Sequence, residues 1–360
     1  MKNTARIPQL AVLVSVAATT ALGQQPWQQL GPNGAAVTAM TGVPGYPDDL
    51  YFVPEGFPAL LWHTTDAGAH WAVIETIPDI ITALTVDPSN VRTLYAAGRT
   101  RSVYRSTDAG ETWHVRGTAP SGVWIRQLII NPVTPAELWA AADLPGPAGP
   151  DGPASLLSVL RSTNSGTGWS ATALDTSFET QTLLLAIDPL RPRRVFVGGS
   201  AGNRPALFAT TDGANWSDIG TGLAGRCAFG LAVDPLDSAA LLCATDAGLY
   251  RSLDNGASWT RTGTFPAFSV AFAAASPHTA YAGSDNLVYR SNNMGISWSA
   301  DTTTFFGTMT RWLHVTPESP YELYAANPYG IYHSTNSGYN WTPLISGWRN
   351  ATVLFLGFHS

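Results

Sequence analysis

Lysine occurs once in this chain, at Lys2. Schiff-base chemistry and the phosphate-gripping lysine of a nucleotide loop are thereby excluded, because each needs a lysine inside the folded body. Charge is scarce altogether. Charged residues make up 12 % of 360, and the formal net charge is −6. Nucleic acid and anionic membrane surfaces call for a basic patch, so neither is expected as a partner. Cysteine is confined to Cys227 and Cys243, and the seven histidines (His63, His70, His114, His278, His314, His333 and His359) show no ligand spacing. With no nucleotide loop or nucleophile elbow in sight, no metal and no cofactor are expected.

What is present begins with a leader. Lys2 and Arg6 form a positive start, Leu10 to Thr20 an apolar stretch, and Ala21-Leu22-Gly23 a small-residue cleavage site. Residues 1–23 therefore read as a secretory signal peptide, and Gln24 as the start of a secreted or periplasmic chain. The apolar stretch is too short to span a bilayer comfortably, and no later segment is a candidate span. Gly 34 and Pro 26 point to many turns, and 45 % hydrophobic residues are ample for a core.

One signature recurs seven times, and its clearest copy is Ser106-Thr107-Asp108-Ala109-Gly110-Glu111-Thr112-Trp113. The other copies end at Trp71, Trp169, Trp216, Trp259, Trp298 and Trp341, with spacings of 39 to 56 residues. A second motif precedes each, as in Leu84-Thr85-Val86-Asp87-Pro88 leading to Leu94-Tyr95-Ala96-Ala97, and its two apolar positions always stand 11 apart. Alternation and β-branching mark strands, and the Asp-Pro or Asn-Pro between them marks a turn. Each unit then reads as four antiparallel strands, A to D, with the signature as the C–D turn. Seven such units predict an all-β, seven-bladed β-propeller, a single domain over residues 24–360. A lone strand at 27–30, another near 353–358, or both are expected to close the ring, and a partial eighth blade stays open as the alternative.

The signature's residues look catalytic by composition, but each has a local task. The side chains of Asp66, Asp108, Asn164, Asp212, Asp254, Asn293 and Asn336 should cap backbone N–H groups. The glycine supplies a positive φ, and the tryptophan should pack between strands or blades. The Asp212 copy is one residue short. The stretch Tyr104-Arg105-Ser106-Thr107-Asp108-Ala109-Gly110-Glu111-Thr112-Trp113 resembles the Asp-box, or BNR, repeat. Sialidases, xyloglucan-active glycoside hydrolases, sortilin-type receptors and photosystem II assembly factors carry it, so the resemblance implies a propeller and leaves function open.

Strand direction assigns the A–B and C–D turns to one face and the B–C and D–A connections to the other. The second face varies in length, above all in the Pro/Gly-rich insertion between Asp143 and Val159, so the ligand is expected there. Candidate residues on it are Glu55, Arg99, Asp143, Arg126, Arg311, Trp124 and Phe178. Asp246 and Asp285 read more simply as turn residues. Arg126 and Arg311 either take up an anion or pair with Asp143 or Asp285. Cys227 and Cys243 either form a disulfide or lie buried as thiols, the disulfide being the expectation. The stretch Leu50-Tyr51-Phe52-Val53-Pro54-Glu55 is similar to the segment that holds the general base of xyloglucanases, with Glu55 at the carboxylate position but without the family's Arg and Thr. The resemblance thus implies a hydrolase with Glu55 as its catalytic carboxylate. The favoured expectation is a monomeric, non-catalytic scaffold for an extracellular polysaccharide or protein, and the alternative is a xyloglucanase-like glycoside hydrolase.

Overall fold

The computed structural model describes residues 37–149, 152–174, 184–201, 204–276, 278–300, 309–310, 312–316, 319–327 and 330–344. All of them fall in one compact unit, Gly31–Ser360. The preceding unit, and with it the expected leader, lies outside the described residues, as do 27–30 and 353–358.

Seven sheets follow one another along the chain, each with four antiparallel strands in simple order. They form a seven-bladed β-propeller of blades 37–77, 81–118, 124–171, 184–218, 228–263, 269–300 and 312–343. The constant offset of 11 is visible as register. Leu84 pairs with Ala96 and Val86 with Leu94 across the A–B hairpin of blade 2, and Leu313 pairs with Ala325 and Val315 with Leu323 in blade 7. Burial falls from the axis outward. In blade 2, strands Ile81–Val86 and Leu94–Gly98 are wholly buried, Ser102–Ser106 is mixed, and His114–Thr118 is mostly exposed.

The core consists of the seams between blades. Strand A of each blade from the first to the sixth contacts strand A of the next. The seam between blades 7 and 1 is packed from side chains, with Val37, Met40, Phe52 and Trp71 against Trp312, Tyr324 and Ile331. Each blade thus draws its four strands from one continuous stretch of chain. The two expected closing strands lie outside the described residues. Each signature tryptophan enters the seam with the preceding blade, for example Trp113 between blades 1 and 2 and Trp259 between blades 4 and 5. The Trp259 indole donates to Ile219 O of the preceding blade at 2.7 Å.

The signature turn is closed by its own side chains. Ser106 Oγ accepts from Gly110 N at 2.9 Å and donates to Asp108 Oδ1 at 2.7 Å. Asp108 Oδ1 accepts from Thr112 N at 2.9 Å. Ala109 and Gly110 hold φ of 64° and 91°, the left-handed region that a short turn of this shape requires. Asn164, Asn293 and Asn336 accept in the same way. Asp212 closes its shorter turn through Ala214 N and Asn215 N, both at 2.8 Å. These bonds hold the carboxyls of Asp66, Asp108 and Asp254 down near 2, and that of Asp212 lower still. The turn is also tied to the A–B turn of its own blade. Ala109 N donates to Arg92 O at 2.9 Å, and the corresponding bond recurs from Ala67, Ser165, Asn255, Met294 and Ser337. The two turn types therefore share a face, as strand direction predicts.

Candidate functional site

The opposite face carries the B–C and D–A connections, and its described candidate residues come from blades 1, 2 and 3. Glu55 follows strand Tyr46–Pro54 of blade 1 and is exposed. Arg99 is exposed just after strand Leu94–Gly98 of blade 2. Trp124, Arg126 and Asp143 belong to blade 3 and do lie together. Trp124 pairs with Asp143 across the A–B hairpin. Arg126 Nε donates to Asp143 Oδ2 at 2.6 Å. Pairing within the protein, one of the two readings left open for Arg126, is thus what the structure has. The indole of Trp124 stays 42 % exposed beside it. Phe178 and Arg311 lie outside the described residues.

The Pro/Gly-rich insertion, expected as a loop, is instead a continuation of strands B and C. Strand Leu138–Gly149 pairs with Gly152–Ser162 as far as Gly149 opposite Gly152. Blade 3 therefore extends a β-ribbon from this face, with Trp124 at its base.

Of the other described carboxylates of this face, Asp246 and Asp79 are held by the fold. Asp246 Oδ1 accepts from Arg226 N at 2.7 Å and from Cys227 N at 3.2 Å, which makes it a turn residue. Asp285 lies exposed in the short connection where Ser284 N meets Leu287 O. Asp79 went unnoticed in the sequence. It is buried between blades 1 and 2 and accepts from Ile80 N at 2.7 Å, Thr100 N at 3.2 Å, Thr100 Oγ1 and Tyr104 OH. Its partners lie up to 25 residues away, so no local motif announces it.

The expected disulfide is corrected. Cys227 and Cys243 are both buried and not joined. Cys243 pairs with Leu231, whereas Cys227 precedes the strand that starts with Ala228 opposite Thr245. Cys227 is therefore displaced along the hairpin by about 10 Å at ~3.3 Å per residue. A disulfide needs Cα atoms within roughly 7 Å. Burial pushes the Cys243 thiol up. Another buried group is His314 on strand A of blade 7, which burial pushes down to about 4.

A cleft of about 950 Å³ opens on the signature face. Its walls are the A–B turns of blades 3 and 4 and the signature turns of blades 4 and 5. Arg161, Arg191, Arg193 and Arg194 line it, with Glu137 and Asp212 as its carboxylates. Arg161 stands on strand Gly152–Ser162 of blade 3, and the other three come from the turn Asp188-Pro189-Leu190-Arg191-Pro192-Arg193-Arg194, where Asp188 Oδ1 caps Leu190 N and Arg191 N at 3.0 Å each. The run of three arginines in four residues is a sequence signal that the length-variation argument passes over.

Among the described residues no three His, Cys, Asp or Glu side chains come together as a metal group. No described helix is long and apolar enough to cross a membrane.

The model of the BNR/Asp-box repeat matches residues 104–115. The chain carries the Asp-box on a seven-bladed β-propeller. A search of curated proteins finds none similar in sequence. Solved structures are similar in fold. The GH74 enzyme of Niastella koreensis superposes with a TM-score of 0.53 at 14 % identity, covering 88 % of this chain and 66 % of its own. The chain thus spans just under two thirds of that enzyme's length. YCF48 bound to D1 peptide gives 0.58 at 15 % identity, covering 85 % of this chain and 95 % of its own. Sqt1 of Chaetomium thermophilum, bound to the N-terminus of ribosomal protein L10, gives 0.50 at 13 % identity over 81 % and 94 %. At such identities the likeness speaks for the fold alone.

Proposed function

We propose that this Asp-box propeller is a secreted or periplasmic binding scaffold without catalytic activity. Residues 1–23 are its cleaved leader and residues 24–360 its single propeller domain. Its ligand is an extracellular polysaccharide or protein, held on the face of the B–C and D–A connections. The β-ribbon of blade 3 and the exposed Trp124 form the edge that meets it.

The observation carrying this reading is the state of the carboxylates. Hydrolysis of a glycosidic bond needs two carboxyl groups, roughly 6.5–9.5 Å apart for inversion. Asp143 is engaged by Arg126, Asp246 by two backbone N–H groups, and Asp79 by a buried set of four donors. Asp285 lies on blade 6, two blades round from Glu55 on blade 1. Among the described residues, Glu55 stands exposed with no second disengaged carboxylate of this face on blade 1, which does not favour the xyloglucanase-like alternative. The neighbours matched over nearly their whole length, YCF48 and Sqt1, hold peptides according to their descriptions, which accords with a binding role.

The test is a binding screen of the purified protein against plant and bacterial polysaccharide arrays and an extracellular protein panel, with Trp124→Ala alongside. A ligand whose binding falls at least about tenfold in the variant, as loss of an aromatic anchor gives, supports the reading. A ligand that binds both forms equally places the contact elsewhere and removes the ribbon edge from the account.

A further inference from the structure

We infer that the arginine-lined cleft on the signature face is a second binding site, and that it takes an acidic segment of polypeptide. It lies on the face opposite the ribbon, so this inference stands independently of the proposed ligand face.

The cleft's charge is the first argument. Four guanidinium groups face two carboxylates along its lining, whereas the whole chain carries a net charge of −6. The positive balance is local and concentrated. The arginines divide into two kinds. Arg161 and Arg194 are built into the frame. Arg161 Nε donates to Glu137 Oε1 at 2.7 Å and its Nη1 to Asp212 O at 3.1 Å. Arg194 is buried, and donates to Ser238 O at 3.1 Å, to Asn255 Oδ1 at 2.8 Å and to Asn255 O at 2.8 Å. These two join blade 3 to blade 4 and blade 4 to blade 5. Arg191 and Arg193 are exposed. Arg191 leans on Asp188 at 3.4 Å and on Asn255 at 3.2 Å, and Arg193 donates to no described residue. Its five N–H donors, in a fork matched to a carboxylate, are available to a ligand.

The apolar parts of the wall decide between kinds of anionic ligand. A charged polysaccharide would want an open aromatic face for its rings. The aromatic of this wall, Trp139, is 2 % exposed, and Arg161 covers its ring at 5.1 Å. What the cleft does expose is aliphatic, with Val133 at 73 % and Pro192 half-buried. Guanidinium groups beside small aliphatic surfaces suit carboxylate side chains interspersed with apolar ones. The backbone that carries Arg191 and Arg193 is the A–B turn of blade 4, fixed by the Asp188 cap on Leu190 N and Arg191 N.

Fluorescence polarisation with a fluorescein-labelled hexaglutamate peptide tests this on the full-length protein. The wild type is expected to bind, more weakly as salt rises. Arg193→Glu should weaken binding by about tenfold or more, and Arg193→Ala by about three- to fivefold, as for single charges at an interface. The melting temperature should stay put, because Arg193 holds nothing in the fold. Arg226→Glu, on the opposite face and 79 % exposed, should bind as the wild type does. Unlabelled oligogalacturonate of matched length and inorganic sulfate serve as competitors. Competition by unlabelled hexaglutamate well ahead of both supports the peptide reading. No binding by the wild type, equal binding by Arg193→Glu, or tighter competition by oligogalacturonate or sulfate would overturn it.

Discussion

The two faces of this ring are made by opposite rules. On the signature face, every turn repeats the bond from serine or threonine to asparagine or aspartate, and six of the seven repeat the bond from the left-handed residue to the A–B turn. On the other face the described connections differ, from the tight turn at Asp246 to the long ribbon of blade 3. The repetition is explained by the seams, since each signature tryptophan must enter the joint with the preceding blade. The variation is tolerated because nothing in the ring depends on it. Yet rigidity is not silence. Where the A–B turn of blade 4 sets Arg191, Arg193 and Arg194 beside the turns of blades 3 and 5, the repeating face acquires a cleft.

Substitution sharpens this contrast, beginning with the seams. Trp113→Ala should cost about 3–5 kcal/mol in denaturant unfolding, the range for loss of a large packed aromatic. Trp124→Ala on the opposite face should change stability by less than ~0.5 kcal/mol, as exposed positions do. Equal effects would erase the distinction between the faces. The next largest effect concerns the turn itself. Ser106 is 1 % exposed, and Ser106→Ala strands the Gly110 N–H, so a loss of about 1–3 kcal/mol is expected. On the variable face, Arg126→Ala leaves Asp143, whose side chain is 9 % exposed, without its 2.6 Å partner. A loss of about 1–3 kcal/mol is expected there too, with restoration by the further change Asp143→Asn. Failure of that rescue would mean that the pair is more than a structural lock.

The smallest effect is that of acid. Asp66, Asp108 and Asp254 have folded-state values near 2, below the ordinary 3.8. Their contribution is therefore complete above about pH 4 and fades as pH falls toward 2. Because these groups are exposed, screening keeps each contribution small. The Asp108→Asn protein should lose less stability between pH 4 and pH 2 than the wild type, in melting temperatures followed across that range. A steeper loss in the variant would contradict the capping assignment.

The ring was readable in the chain because its determinants are local and repeated. Asp108 and Gly110 make their turn with neighbours four residues away, and the offset of 11 between Leu84 and Tyr95 fixes one hairpin. The sidedness of the turns followed from strand direction alone. What was not readable depends on contacts between distant segments. For Arg126 the chain left anion binding and pairing with Asp143 equally open, and the choice between them is a matter of register. The distance between Cys227 and Cys243 depends on where strand A begins. The Pro/Gly run between Asp143 and Val159 signals a loop, whereas the pairing of its flanks carries the strands through it. The arginine cleft needs three blades side by side, and Asp79 is explained only by Thr100 and Tyr104 of the next blade.

The account's central claim is that the ring binds without cutting. Its most direct test is a reducing-sugar assay of the purified protein on xyloglucan and related β-glucans, run beside Glu55→Gln. The account predicts no release above the heat-treated control for either protein. Sugar release by the wild type that disappears in Glu55→Gln would contradict it and make Glu55 a catalytic residue.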